Sequence, residues 1–425
     1  MKHGHLTYGL MDVDEVAAGL AAGLDQQLAE DDAARLAGYP GDGGGRQPVH
    51  TVYVPADRVA AGIAADWGRQ ALAALDEFQP DRATVAALAG VEIDLVDALL
   101  ARVRHKLTVE PIEDLRVDVE DGYVPTPGDQ DAAEDDAVRA ATDALRADLL
   151  AGEAPPFFGV RIKSFESGTR LRSARSLVQF AGAMLPNSFV VTLPKVTSVA
   201  QVRAMVWAVR RLEVDFGLAE GFLRFELQVE TTQAVQGADG RATVSAMVHA
   251  ADGRCTGLHY GTYDYSAAAG IAAAYQSMDH PVADHAKNVM LLAAAGTGVR
   301  LSDGSTNILP VGAADQVHAG WQLHARLVRR SLQRGFYQGW DMHPHQLPTR
   351  YLATYGFFRS AFPAAAGRLR SYLDSASGTA VMDEPATARA LANVLVRGLD
   401  CGALEEKEVL EAVAIDRLAL AALVR

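Results

Sequence analysis

Two carboxylates, Glu230 and Asp264, are the residues of this chain best placed to do chemistry. Glu230 closes the stretch Phe225-Glu-Leu-Gln-Val-Glu-Thr231, in which Phe225, Leu227 and Val229 alternate with Glu226, Gln228 and Glu230. Alternation of that kind makes a strand with two unlike faces. Asp264 closes Gly257-Leu-His-Tyr-Gly-Thr-Tyr-Asp264, a short apolar-rich strand that runs into Gly261. If the two strands are neighbours in one parallel sheet, both acids lie at its C-terminal edge. Two acidic oxygens there, with positions open for water and substrate, suit Mg²⁺. Taken singly, each acid reads better as a helix N-cap in a strand-to-helix turn. The metal reading rests on what the rest of the chain supplies.

The elements that must position these acids follow one rhythm. Strands are expected over residues 50–58, 115–121, 157–163, 189–195, 223–230, 256–261, 298–303 and 337–342. Helical patterns fall over 13–37, over 59–110 with breaks near Pro80 and Gly90, and over 130–151, 170–184, 198–212, 281–296, 312–334 and 350–425. Strands that alternate with helices imply parallel pairing and a closed α/β sheet, a (β/α)8 TIM barrel with its site at the C-terminal strand ends. Those ends carry Asp57 and Arg58, Glu120 and Asp121, Arg161 and Lys163, Lys195, Glu230, Asp264, Asp303 and His343. A random set of strand ends would not all be ionisable. The expected division is an N-terminal helical extension over 1–47, a catalytic barrel over 48–350 with a helical insertion at about 64–110, and a C-terminal helical lid over 351–425.

Composition narrows the function classes. The chain has 425 residues, 49% hydrophobic and 22% charged, which is ordinary for a globular protein. Net charge is −14 with no basic run, so nucleic acid and anionic membranes are poor partners. No apolar run is long enough to span a bilayer, and Met1-Lys-His-Gly-His-Leu6 lacks a signal-peptide core. Cys255 and Cys401 are isolated, giving neither a disulfide framework nor zinc spacing, which fits a reducing cytoplasm.

The ordered strand ends resemble those of the HpcH/HpaI aldolase and citrate lyase β-subunit superfamily, most closely its citrate-lyase-β-like branch. The motifs are Val54-Pro-Ala-Asp-Arg58, Asp118-Val-Glu-Asp121, Val160-Arg-Ile-Lys163, Leu193-Pro-Lys-Val196, Val229-Glu-Thr231, Gly261-Thr-Tyr-Asp264, Asp303-Gly304 and His343-Pro-His-Gln346. The resemblance implies a TIM barrel, a divalent metal (Mg²⁺, with Mn²⁺ as alternative) and reversible C–C bond cleavage or formation at a 2-oxo or 3-hydroxy acid. By position it makes Glu230 and Asp264 the metal ligands. Arg161 becomes the holder of a substrate carboxylate or enolate oxygen, and Glu120 and Asp121 position the metal's waters. Val381-Met-Asp-Glu-Pro385 resembles the family's lid motif, making Asp383 a candidate general acid/base. A homotrimer or homohexamer with exchanged lids is also implied. The chain departs from the family in its N-terminal extension, its long stretch between the first two strands, the Ile-Lys after Arg161, the polar face of Glu226 and Gln228, and the tyrosines 263 and 265 around Asp264.

The residues set out the chemistry. Aldol cleavage beside a ketone leaves an enolate, and a metal chelated by a 2-oxo acid stabilises that oxyanion without a proton. Arg161 offers a donor fork for a carboxylate. Asp383, Asp121 or a metal-bound water moves the proton. Lys163, Lys195, Arg58 and Tyr263 complete the expected substrate pocket. Each has a plainer alternative. Arg161 could form a barrel ion pair with Glu226 or Glu230, Lys195 could orient Glu230 or Asp121, His343 could cap a strand end, and Asp383 could cap a helix. Glu226 and Gln228 should lie inside the barrel in a polar network with Arg161, Lys163 or Arg116. The leading expectation is a Mg²⁺-dependent carbon–carbon lyase or aldolase for a small anionic 2-oxo or hydroxy acid, free or as a CoA thioester. Its rivals are a malate-synthase-like condensation, which needs a basic cleft near the first and last strands, and a non-catalytic barrel subunit.

Overall fold

In a computed structural model that describes residues 12–78, 80–124, 130–183, 186, 189–374 and 385–424, the strands are short and all parallel. They are β1 (Thr51–Pro55), β2 (Asp114–Asp118), β3 (Phe157–Arg161), β4 (Phe189–Leu193), β5 (Arg224–Val229), β6 (Cys255–Tyr260), β7 (Arg300–Ser302) and β8 (Trp340–Asp341). Their order in the sheet is β7-β6-β5-β4-β3-β2-β1-β8. Ser302 bridges Gln338 just ahead of β8, and Asp303 N–H donates to Gln338 O at 2.8 Å, so the two ends of the sheet meet. The expected (β/α)8 barrel is the fold.

Helix α1 (Val13–Gly38) precedes β1. Between β1 and β2 run α2 (Ile63–Phe78), α3 (Arg82–Ala89) and α4 (Val96–Val109). Single crossovers follow as α5 (Gln130–Ala151), α6 (Arg170–Gly182) and α7 (Val199–Phe216). The β5–β6 connection holds α8 (Thr232–Val235) and α9 (Thr243–Ala250), and the β6–β7 connection holds α10 (Thr262–Ala268) and α11 (Pro281–Ala294). After β7 comes α12 (Ala314–Gln333), and after β8 come α13 (Leu347–Leu373), α14 (Pro385–Cys401), α15 (Glu406–Val413) and α16 (Arg417–Val424). The short helices α8, α9 and α10 were not anticipated. They are four, eight and seven residues long, too brief for a helical period to stand out of the sequence.

Alternation divides each strand between two environments. Val117, Val160, Val191, Leu227 and Leu258 belong to the same hydrophobic cluster as Val138, Leu177, Met205 and Met247 of the surrounding helices. The intervening residues fill the barrel lumen, and apart from Phe157, Gly159, Val190 and Gly257 those on β2 to β6 are mostly polar. Arg116 reaches Asp114, donates to Glu226 Oε2 at 2.9 Å and to Thr192 Oγ1 at 3.3 Å. His259 Nε2 lies 3.1 Å from Glu226 Oε2, while Trp340 Nε1–H donates to His259 Nδ1 at 3.1 Å. An indole only donates, so the His259 proton sits on Nε2 and points at Glu226. The anticipated network around Glu226 therefore exists, built on Arg116 and His259.

The strands stop earlier than the sequence patterns suggest. Asp118 ends β2 by accepting Glu120 N–H at 3.0 Å and Gly122 N–H at 2.9 Å. A Cβ at Gly122 would lie 2.3 Å from Asp118 Oδ2, so this turn requires glycine. Glu120, Asp121 and Lys163 consequently sit on loops above the barrel. A second hydrophobic cluster, including Leu369, Ala392, Leu395 and Leu420, joins α13, α14 and α16. Helix α1 buries no residue. Among the described residues no helix is long and apolar enough to cross a membrane.

Candidate active site

Lys195 is the hub of the C-terminal face. It follows β4 in a left-handed conformation, φ +52°, which costs a non-glycine residue on the order of 1 kcal/mol or more. That turn aims its backbone N–H at Glu230 Oε1, 2.8 Å away. Its ammonium lies 2.7 Å from Glu120 Oε1, 2.7 Å from Asp121 Oδ2 and 3.7 Å from Asp264 Oδ2. Carboxylates that follow β2, β5 and β6 are thus gathered around one residue that follows β4.

Neither expected metal ligand is a helix cap. Thr231 caps α8, accepting Ala234 N–H at 3.2 Å, and Gly261 holds the N-cap position of α10 with Asp264 in the first turn. Glu230 is 2% exposed, whereas the Asp264 side chain is 46% exposed. The Gln228 amide donates to Glu230 Oε2. A Cβ at Gly261 would come within 2.5 Å of Glu230, so the approach of β6 to this carboxylate depends on glycine. Burial drives the Glu230 carboxyl up to about 8, with Arg161 opposing and Asp264 and Glu120 adding to the rise. Burial also raises Glu120, against the pull of Arg161 and Lys195. Burial pushes Asp121 up, but the hydrogen bonds and charge of Lys195, with the charge of Arg161, together bring it below its ordinary value.

Arg161 stands beside this group, 6% exposed. Its Nε and Nη2 donate to the two oxygens of Asp118 at 2.8 and 2.6 Å. The donor fork expected to be free for a substrate carboxylate is therefore occupied by Asp118, rather than by Glu226 or Glu230. Nη1 is the remaining edge, 3.4 Å from Glu120 Oε2 and 3.5 Å from Gln228 Oε1. The guanidinium carbon lies 4.9 Å from the centre of the Tyr53 ring and 5.6 Å from that of Trp340. Asp118, Tyr53 and Trp340 were missed as partners. Asp118 alone left a signal, as the third charged residue in the period-2 series Asp114, Arg116, Asp118.

The other expected residues divide. Asp121 and Lys195 belong to the cluster. Tyr263 adjoins Asp264 but turns its hydroxyl to accept Asn307 N–H at 2.7 Å. Lys163 does not join: its ammonium donates to Val119 O at 2.7 Å and pairs with Glu134 of α5 at 3.3 Å. Beyond the end of β3 the pleat no longer dictates direction, and Glu134 draws the lysine outward. Arg58 lies on the rim of a separate cavity of 710 Å³ at the ends of β1 and β8, lined also by Tyr53, Trp67, Arg69, Met342 and His343. Asp383 lies outside the described residues. His343 caps the turn after β8, its Nδ1 accepting His345 N–H at 3.1 Å.

The donor set suits a hard divalent cation. Among the described residues the hydrogen-bond donors to Glu230 are neutral, and with Arg161 paired to Asp118 the acids Glu120, Asp121 and Asp264 bring more negative charge than Lys195 balances. Among the described residues no three His, Cys, Asp or Glu side chains converge as a closed metal cage. An ion here would rest on two carboxylates and complete its shell with water and substrate oxygens, as Mg²⁺ does.

A model of the family described as "Domain of unknown function (DUF6986)" matches residues 28–425. No curated protein sequence matches the chain. Among solved structures, a citrate lyase from Burkholderia xenovorans LB400 aligns at 18% identity and a TM-score of 0.54, covering 77% of this chain and 92% of that one. The barrel is therefore shared with a citrate lyase, as the strand-end motifs led one to expect, and at that identity the likeness shows the fold alone. A Haloferax volcanii malate synthase covers 88% of both chains at 12% identity and a TM-score of 0.46, too loose to carry argument.

Proposed function

The chain belongs to the DUF6986 family, whose description assigns no chemistry, and from its own strand ends we propose a Mg²⁺-dependent carbon–carbon lyase or aldolase acting on a small 2-oxo or 3-hydroxy acid. The observation that carries the reading is Glu230, buried at a strand end, raised to about 8 and flanked by Asp264, Glu120 and Asp121.

Glu230 and Asp264 would hold the ion, with Glu120 and Asp121 positioned for its waters. Bound there, a divalent ion would stabilise the oxyanion of an enolate. Arg161 presents Nη1 to the substrate, its plane fixed by Asp118 below and by the Tyr53 and Trp340 rings. Lys195 keeps the acids gathered and partly neutralised. Asp121 is the described carboxylate exposed enough, at 55% of its side chain, to exchange a proton with substrate or water. Asp383 remains the candidate from a closing segment. Residues 351–425 would then act as a lid on a barrel over 48–350, in a cytoplasmic homotrimer or homohexamer.

A second reading, acyl-CoA condensation with a 2-oxo acid, is favoured by one feature. The 710 Å³ cavity lies where a thioester's nucleotide would need a basic cleft and offers Arg58 there, Arg69 being paired with Asp66 at 2.9 Å, and its Tyr53 wall touches Arg161. Release of pyruvate or glyoxylate from hydroxy acids and their CoA thioesters, with and without Mg²⁺, separates the two. Turnover of free acids supports the aldolase, and turnover of thioesters alone, reduced at least tenfold by Arg58→Glu, supports condensation chemistry. Product formation that persists in Glu230→Ala without Mg²⁺ contradicts both.

A further inference from the structure

Helix α1 is out of keeping with the rest of the molecule. It runs 26 residues and buries none of them. Val13, Val16, Leu20, Leu24 and Leu28 recur at three- and four-residue spacing, 47–77% exposed, and form one apolar stripe. Most helical stability in proteins comes from packing such a stripe, not from intrinsic propensity. The helix is also acidic, with six Asp or Glu residues against Arg35 alone.

A complementary face exists on α7. There Arg203, Trp207, Arg210 and Val214 recur at three- and four-residue spacing, with Trp207 70% and Val214 78% exposed. They border a shallow groove of 660 Å³ floored by Val206 and Ala250. Arg203 has no ion pair among the described residues, and Arg210 is paired only with the exposed Asp252. The spacings match: Asp25 and Asp32 are seven residues apart beside the α1 stripe, and Arg203 and Arg210 are seven apart on α7, about 10.5 Å in each helix.

We propose that α1 of one chain docks on the α7 face of a second copy, and the reverse, so that two chains exchange N-terminal helices. Leucines of α1 cover Trp207 and Val214, and the aspartates at 25 and 32 meet the arginines at 203 and 210. The α1 root explains why exchange is favoured over folding back. Tyr39 packs its ring 5.2 Å from that of His249, and Gly41 N–H donates to Gly296 O at 2.8 Å, so the chain has no slack just after the helix. That anchor on His249 of α9 adjoins the groove at Ala250, so donor and acceptor lie near one another, as a two-fold interface requires. Pairing α1 with a second α1 would instead bring acid against acid.

The test is the mass of the full chain in light scattering at low-micromolar concentration. The wild type should contain an even number of chains, so that of the two assemblies proposed above exchange admits the homohexamer and not the homotrimer. Asp25→Lys/Asp32→Lys and Arg203→Glu/Arg210→Glu should each halve that mass with unchanged circular dichroism. Mixing these two variants should restore it, because both seams become complementary again. A monomeric wild type, or variants of unaltered mass, overturns the proposal. So does recovery only in a single chain carrying all four substitutions, which would place α1 on its own α7, and so does failure of the mixture to reassemble.

Discussion

Two buried carboxylates at the ends of barrel strands behave in opposite ways. Asp341 is 0% exposed and Glu230 is 2% exposed. Burial pushes both up, yet Asp341 is held well below the usual carboxylate range and Glu230 rises to about 8. Their partners account for the difference. Asp341 receives Arg350 Nε and Nη2 at 3.0 and 2.9 Å, with His50 Nδ1 at 2.7 Å and His324 Nε2 at 3.0 Å. Glu113 N–H donates to His50 Nε2, so His50 points its own proton at Asp341. Glu230 receives a backbone amide and a glutamine amide, and the nearby charge of Arg161 is set against those of Asp264 and Glu120. One carboxylate has its counter-charge built in and locks the barrel where β8 meets α12 and α13. The other has the charge of Arg161 nearby but no charged hydrogen-bond donor among the described residues, which a structural role would not favour and a cation site would.

The contrast is broken most forcefully from the Asp341 side. Asp341→Ala leaves Arg350 and two histidines buried without their anion, and should destabilise by about 3–5 kcal/mol, read from denaturant midpoints. Glu230→Gln should move metal-free stability the other way and by less, since a second amide must face the amide of Gln228. Its signature is in the pH dependence. A carboxyl at about 8 in the folded state, against about 4.3 when unfolded, holds a proton that the unfolded chain has lost between those values. Stability contributed by this group is thus present below the lower value and lost as pH rises through the upper one, at up to about 1.4 kcal/mol per unit. Glu230→Gln should flatten that slope in melts from pH 5 to 9 run with chelator, and an unchanged slope would mean that Glu230 does not carry the proton. The smallest effect is expected at Thr349→Val, which removes the hydroxyl that lies 2.7 Å from His324 Nδ1 and 3.0 Å from Gln346 O. It should cost about 1 kcal/mol and leave metal binding untouched.

The barrel and its ionisable rim were legible because alternation is a local signal. The polar faces of β2 and β5 announced themselves as Asp114, Arg116, Asp118 and as Glu226, Gln228, Glu230, and all six lie inside the molecule. What the pattern did not contain was partner choice. Asp118 takes Arg161 from 43 residues away, and His259 is fixed by Trp340 from 81 residues away. Closure of the barrel creates these pairs. Lys163 misled for a related reason: two residues past Arg161, the strand had already ended, and Glu134 of α5 determined its direction. The short helices α8 and α9 escaped because Gly237 and Gly240 interrupt the stretch between them.

The central claim is that Glu230 and Asp264 form the protein's side of a divalent cation site. Mn²⁺ titration of the full chain, followed by the loss of the free-ion electron paramagnetic resonance signal, tests it directly. One ion should bind per chain in competition with Mg²⁺, and Glu230→Gln and Asp264→Asn should each weaken binding at least tenfold while Asp341→Asn, if it folds, does not. Equal Mn²⁺ affinity in the wild type and both site variants, or no competition from Mg²⁺, would contradict the account.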